Sequence, residues 1–199
     1  MKPSGVRRPL RCVAALLAAL VGGSSNLHPQ TAKHKEYEVK AAYLANFVKF
    51  IDWPQAASAP PGPPAQGNAT GQAEEPFAIC VLGQDPFGPA LDAALAGETV
   101  GRHPLVPRRV ANAREAAGCR VVFIAEDDRE LRRDLTALDK SAVLTVGDRP
   151  EFLKRGGMIQ FILEENKVRF EVNLTAAKRA GLTLSSELLK VATAVRRDP

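Results

Sequence analysis

The sequence predicts an α/β fold: a three-layer sandwich on a mostly parallel sheet, with helices on both faces and a C-terminal antiparallel hairpin. Three observations carry this reading. Between residues 77 and 154, short apolar runs alternate with helix-length segments, the pattern of crossover connections in a parallel sheet. After Gly156-Gly157, two strand-like runs follow each other with only Glu164-Glu165-Asn166 between them, which reads as a hairpin. The chain has 199 residues, 45% hydrophobic and 25% charged, the size and balance of one globular domain.

The N-terminus stands apart from that domain. Lys2, Arg7, Arg8 and Arg11 lie in a 25-residue segment that contains no acid. An apolar run, Cys12 to Val21, and the small residues Gly22, Gly23, Ser24 and Ser25 follow. This is the layout of a secretory signal peptide over residues 1–25, cleaved near Ser25. The apolar run is about half the roughly 20 residues of a spanning helix, so an uncleaved anchor is the lesser alternative. The net charge is +5, but without the four N-terminal cations it falls to 23 basic against 22 acidic residues, or +1. The basicity therefore belongs to the leader and gives no support to electrostatic nucleic-acid binding. No later stretch is apolar for long enough to span a bilayer, so an exported protein without a membrane span is expected.

A single domain is expected over residues 36–197. Glu36–Asp52 reads as a helix with Val39, Tyr43, Phe47 and Phe50 on one core-facing stripe, and Trp53-Pro54 ends it. Residues 55–75, rich in Pro, Gly and Ala, read as a surface loop. Phe77–Leu82 is a strand, Gly83–Gly88 a turn and Pro89–Leu95 a short helix. Thr99–Val110 contains a strand, placed at Leu105–Val110, and Ala113–Ala117 a helical turn. Arg120–Ala125 is a strongly apolar strand. Asp127 and Glu130 have capping-box spacing before a helix at Asp128–Leu138. Ala142–Val146 is a strand and Arg149–Lys154 a short helix capped by Asp148. Met158–Leu163 and Lys167–Val172 form the hairpin. In the second arm Val168, Phe170 and Val172 alternate with Lys167, Arg169 and Glu171, a strand with one wet face. Asn173 caps a helix at Leu174–Ala180, Gly181 stops it, and Ser185–Val195 is the last helix.

Motifs for catalysis are missing from the chain. It has no G-x-G-x-x-G, no G-x-x-x-x-G-K-[ST], no G-x-S-x-G, no C-x-x-C and no H-E-x-x-H. His28, His34 and His103 are scattered. Glu126-Asp127-Asp128 follows a strand and is either an acidic site or carboxylates at a helix N-terminus. Asn68 and Asn173 begin glycosylation sequons. Cys80 and Cys119 remain after leader cleavage; in an oxidising compartment they form a disulfide if their strands are neighbours, or stay as two buried thiols. These residues favour a binding protein over an enzyme, with no catalytic residue, metal or cofactor assigned. A small-molecule module using a crevice at the strand ends is the alternative.

Several blocks together resemble the YfiR-like family of periplasmic proteins. They are Tyr37 to Pro54 (YEVKAAYLANFVKFIDWP), Phe77 to Gly83 (FAICVLG), Cys119 to Ile124 (CRVVFI), Val143 to Asp148 (VLTVGD), Gly156 to Phe161 (GGMIQF), Val168 to Asn173 (VRFEVN) and Ala180 to Leu189 (AGLTLSSELL). The resemblance spans about Tyr37 to Val195. It implies a homodimeric, non-catalytic regulator that represses the periplasmic sensory domain of an inner-membrane diguanylate cyclase, lowering cyclic-di-GMP and biofilm formation. Cys80 and Cys119 match one cysteine pair of the family. A second pair found in some members, near Val143–Gly157, is missing here. By the same resemblance the partner-binding surface involves Phe161, Glu171, Asn173 and Leu182, while Lys40, Asn46 and Trp53 belong to the recognisable block.

Overall fold

The central strands are apolar on both faces, so they must be covered on both sides. A computed structural model describes residues 29–54 and 75–197. The expected signal peptide at 1–25, nearly all of the loop expected at 55–75 and the Asn68 sequon lie outside the described residues. In chain order the elements are α1 (Pro29–Phe47), β1 (Ile51–Asp52), β2 (Phe77–Gly83), α2 (Pro89–Leu95), β3 (Thr99–Val100), β4 (His103–Val110), α3 (Ala113–Ala116), β5 (Val121–Ala125), α4 (Asp128–Leu138), β6 (Leu144–Gly147), β7 (Ile159–Glu164), β8 (Lys167–Asn173), α5 (Leu174–Arg179), β9 (Thr183–Leu184), α6 (Ser186–Val191) and β10 (Ala194–Arg196).

Eight strands form one sheet in the order β10-β8-β7-β6-β5-β2-β4-β3, and β1 pairs with β9 in a separate two-stranded ribbon. The pairs from β4 through β7 are parallel, while β7–β8 and β3–β4 are antiparallel. The sandwich is thus as expected. Alternate residues feed two cores. Ile79, Val81, Val121, Phe123, Leu144 and Val146 face a first cluster with Leu44, Phe47, Leu91, Ala177 and Leu188 of the helices. Cys80, Leu82, Val122 and Ile124 face a second, covered by Ala116, Leu131, Leu135 and Leu138.

The hairpin turns on Glu165 and Asn166, both with positive φ (49° and 59°). That is the geometry of a two-residue loop whose twist suits the flanking strands. The Gly156-Gly157 step has a steric cause. A Cβ on Gly157 would come within 2.1 Å of the Phe152 ring, and one on Gly147 within 2.5 Å. Two glycines therefore make room for one fully buried phenylalanine in the second core.

Three expectations are corrected. The first helix ends at Phe47, not Asp52; a 3-10 turn at Val48–Phe50 leads into β1. Ile51 pairs with Leu184, and Ser185 N–H donates to Phe50 O at 2.9 Å. Sheet pairing thus overrides the helical pattern there. The buried stripe is Lys40, Ala41, Leu44, Ala45, Phe47 and Val48, whereas Val39 and Phe50 are 46% and 38% exposed. The last helix stops at Val191, because residues 194–196 pair in parallel with Glu171, Val172 and Asn173 as an edge strand.

Cys80 of β2 and Cys119, two residues before the neighbouring β5, form a disulfide with Cα atoms 6.1 Å apart. Their sequence separation is 39 residues, and closing a loop of that size removes about 4 kcal/mol of unfolded-chain entropy. Reduction, or the double substitution C80A/C119A, is expected to lower the unfolding free energy by about 3–4 kcal/mol in urea titrations. An unchanged midpoint would show that the bridge does not constrain the unfolded chain.

Candidate functional site

The site begins with a lysine where an apolar residue belongs. Lys40 sits on the buried face of α1 and is 3% exposed. A buried ammonium needs a charged partner. Its Nζ pairs with Glu36 one turn earlier and with Asp148 Oδ2 at 2.6 Å. The Tyr37 hydroxyl donates to the same Asp148 oxygen at 2.8 Å. Lys40 Nζ also lies 4.3 Å from the Tyr37 ring centroid, a cation–π distance. Burial first, then the Asp148 charge, hold the Tyr37 phenol protonated far above its ordinary range. Asp148, expected to cap a short helix, instead ties α1 to the end of β6. Only a 3-10 turn, Leu153–Arg155, forms where that helix was expected.

The expected partner-binding residues divide. Phe161 and Leu182 are 2% and 1% exposed. They are corrected to core residues, since neither side chain reaches the surface. Phe161 stacks with Phe47 at 5.9 Å and lies 5.8 Å from Tyr43, its ring part of an aromatic cluster with Phe170. Asn173 uses both ends of its amide inside the domain. Its oxygen accepts from Ala176 N–H at 3.0 Å as the cap of α5, and its nitrogen donates to Leu153 O at 3.1 Å. Glu171 faces away from the first core and pairs with Arg196 of β10 at 3.2 Å. Of the resemblance block, Asn46 bonds back to Ala42 O at 2.9 Å. Trp53 packs beside Phe77 and under the Arg120 guanidinium, 5.8 Å from its ring.

The exposed apolar surface lies next to these residues. Val39 of α1 and Leu163 of β7, 46% and 57% exposed, flank a groove of about 950 Å³ between α1 and the hairpin tip. Tyr43 and Val168 line its floor, and Lys33, Lys35, Lys167 and Arg169 ring it. Glu36, the one acid among its described lining residues, is committed to Lys40. The groove is therefore apolar at its centre and cationic at its rim. Sequence reasoning missed it because it took Val39 for core and took the hairpin's phenylalanine, rather than Leu163, for the outward residue. A lysine at position 40 reads as exposed, so the sequence carried no signal that the buried stripe runs through it.

The YfiR/HmsC-like family matches residues 37–193. This chain belongs to that family. No curated protein matches it. Among solved structures it is similar to a conserved domain protein from Vibrio cholerae O1 biovar El Tor, at 13% identity and a TM-score of 0.45. It is also similar to the ABC domain in complex with L-Trp from Streptococcus pneumoniae, at 11% identity and a TM-score of 0.44. Each likeness covers 60% of this chain and 55% of the other.

In this YfiR/HmsC-like chain the acidic segment supplies a helix cap. Asp127 Oδ1 accepts from the N–H groups of Arg129 and Glu130 at 3.0 and 3.2 Å, capping α4. Those backbone donors hold the Asp127 carboxyl below its ordinary value. The reciprocal half of the expected capping box does not form. Glu130 lies instead against Glu126, whose carboxyl is pushed up, first by burial, then by its hydrogen bond to Glu130. Among the described residues no group of three or more His, Cys, Asp or Glu is placed to hold a metal ion, and no helix is long and apolar enough to cross a membrane.

Two outcomes follow from these carboxylates. Lys40→Met removes one partner of a buried pair and strands Asp148. Because Asp148 is 20% exposed and partly rehydrates, the loss should fall at about 2–3 kcal/mol, just below the range for fully buried pairs. A chemical-denaturation loss under 1 kcal/mol would remove the pair from its structural role. For Glu126 the folded-state affinity for a proton exceeds the unfolded one, so the ionised form costs stability above the folded value and nothing below about 4. Glu126→Gln should raise the melting temperature at pH 7, and the gain should vanish as the pH falls to 4. A gain independent of pH would refute this.

Proposed function

We propose that this chain is a non-catalytic periplasmic regulator that holds the periplasmic sensory domain of a membrane-bound diguanylate cyclase inactive. By restraining that enzyme it lowers cyclic-di-GMP and biofilm formation, and it works as a homodimer. The observation that carries this reading is the match to the YfiR/HmsC-like family over residues 37–193. The disulfide between Cys80 and Cys119 suits an oxidising compartment.

The surface that best fits the partner is the groove between α1 and the hairpin tip. Val39 and Leu163 supply an apolar centre of the kind that anchors protein interfaces. Lys33, Lys35, Lys167 and Arg169 surround it with positive charge. The complementary element is an amphipathic segment of the cyclase with acidic flanks. Glu171 and Asn173 sit farther along the same hairpin arm; Glu171 contributes at the rim, and Asn173 acts by fixing the start of α5.

The reading is tested by capture and by phenotype. Deletion of the gene should raise cyclic-di-GMP, and the purified protein should retain a diguanylate cyclase from solubilised membranes. V39D/L163D should weaken that capture at least tenfold with an unchanged melting temperature. Unchanged cyclic-di-GMP on deletion would overturn the function. Full capture by the variant would move the docking surface elsewhere.

A further inference from the structure

β2 lies between β4 and β5: the chain runs from β2 to β4 on one side and then back past β2 to β5 on the other. The helix after β2 packs on the first core and the one after β4 on the second. The chain thus diverges at the carboxyl ends of β2 and β5, the place where an open α/β sheet leaves a crevice. A cavity of about 510 Å³ opens there, within the usual range for small-molecule sites. Gln84, Asp85 and Pro86 form one wall from the loop after β2. Phe123 and Ala125 of β5 form the floor, Asp148 and Arg149 follow β6, and Tyr37, Lys33 and His34 close the top from α1.

The charges of this crevice decide what it suits. Each acid is in contact with a cation that it shares with a second carboxylate: Arg109 also takes Asp92, and Lys40 also takes Glu36. Asp85 accepts from Arg109 Nε at 2.9 Å and from the N–H groups of Phe87 and Gly88. Asp148 is held by Lys40 and Tyr37. His34 faces Glu38 at 3.2 Å. Lys33 and Arg149 stand at the mouth with no carboxylate in ion-pair contact among the described residues; Asp127 is within electrostatic reach of Arg149, and Lys33 Nζ lies 6.0 Å from the Tyr37 ring centroid. Behind them is an aromatic stack. Tyr37 meets Phe87 edge-on at 5.3 Å, and Phe87 meets Phe123 at 4.8 Å.

We infer that this crevice binds a small planar or apolar molecule bearing a carboxylate or phosphate, its anion between Lys33 and Arg149 and its body against Tyr37, Pro86 and Phe123. Arg149 supplies a planar fork suited to either oxyanion, and Gln84 offers a neutral amide beside it. The site lies on the other flank of α1 from the partner groove and shares only Lys33 with it, and its test does not involve the cyclase.

Amide-resolved NMR titration of the isotope-labelled, leaderless protein with phenyl phosphate, benzoate and the neutral benzyl alcohol tests the proposal. Both anions should give saturable shifts at Gly83, Gln84, Ala125, Asp148 and Arg149, with benzyl alcohol at least tenfold weaker. Tighter phenyl phosphate assigns a phosphate monoester, and tighter benzoate a carboxylate. Arg149→Gln and, as a second variant, Lys33→Gln should each weaken the preferred anion at least fivefold while leaving the remaining spectrum unchanged. The proposal is overturned if neither anion shifts these resonances, if benzyl alcohol binds as well as the acids, or if whichever variant keeps the native spectrum binds the anions undiminished.

Discussion

A single buried ammonium organises the first layer. Lys40 occupies a position on α1 that packing alone would give to leucine, and it is tolerable there only because acids meet it. Glu36 comes from the same helix, but Asp148 comes from the end of β6. That second contact fixes both the height and the rotation of α1 over the sheet. An ion pair of this kind adds little net stability compared with an apolar substitute, but it penalises every other register of the helix. With α1 set, Tyr37 is turned toward the strand ends and Val39 toward the hairpin. One helix thereby walls two concave surfaces, and Lys33 reaches the edge of both.

The two cores are built differently. The first holds the aromatic cluster of Tyr43, Phe47, Phe161 and Phe170, with centroids 5.2–5.9 Å apart. Pairs of this geometry add about 0.5–1.5 kcal/mol each beyond the area they bury. The second is mostly aliphatic, with Phe152 as its one large ring, seated between two glycines. Its covering elements, α3 and α4, are short or amphipathic, and the disulfide reinforces that side. The cross-link thus lies on the layer with fewer large side chains.

The sheet was legible because its strands are dense in Val, Ile, Leu and Phe and are punctuated by Gly, Asp and Asn. Asn173 as a cap and Glu164 to Asn166 as a turn region followed from local chemistry alone. The N-terminal helix was less legible for a physical reason. Aromatics draw the eye as core residues, yet the buried stripe includes a lysine and two alanines, and Phe50 falls in a 3-10 turn where helical spacing no longer applies. The strands at β1, β9 and β10 are two or three residues long; such segments exist only through their partners and leave no periodicity to read. Phe161 and Leu182 were misplaced because a motif marks that a residue matters without saying whether it faces in or out.

The flanks of the sheet set a limit on how this protein meets others. Among the described residues, β10 pairs with β8 at residues 171–173 with Thr193 N–H also donating to Phe170 O, and β3 pairs with β4 at residues 103–104 with Leu105 N–H also donating to Glu98 O. The backbone left uncovered is not inviting. Lys167 and Arg169 occupy the bare stretch of β8, and Pro107, Arg108 and Arg109 that of β4. Proline lacks a donor for an added strand, and repeated cations repel a second copy of themselves. Among the described residues these edges therefore disfavour lengthening of the sheet by another chain. Any specific neighbour must be recognised through side chains, not through the backbone of the sheet.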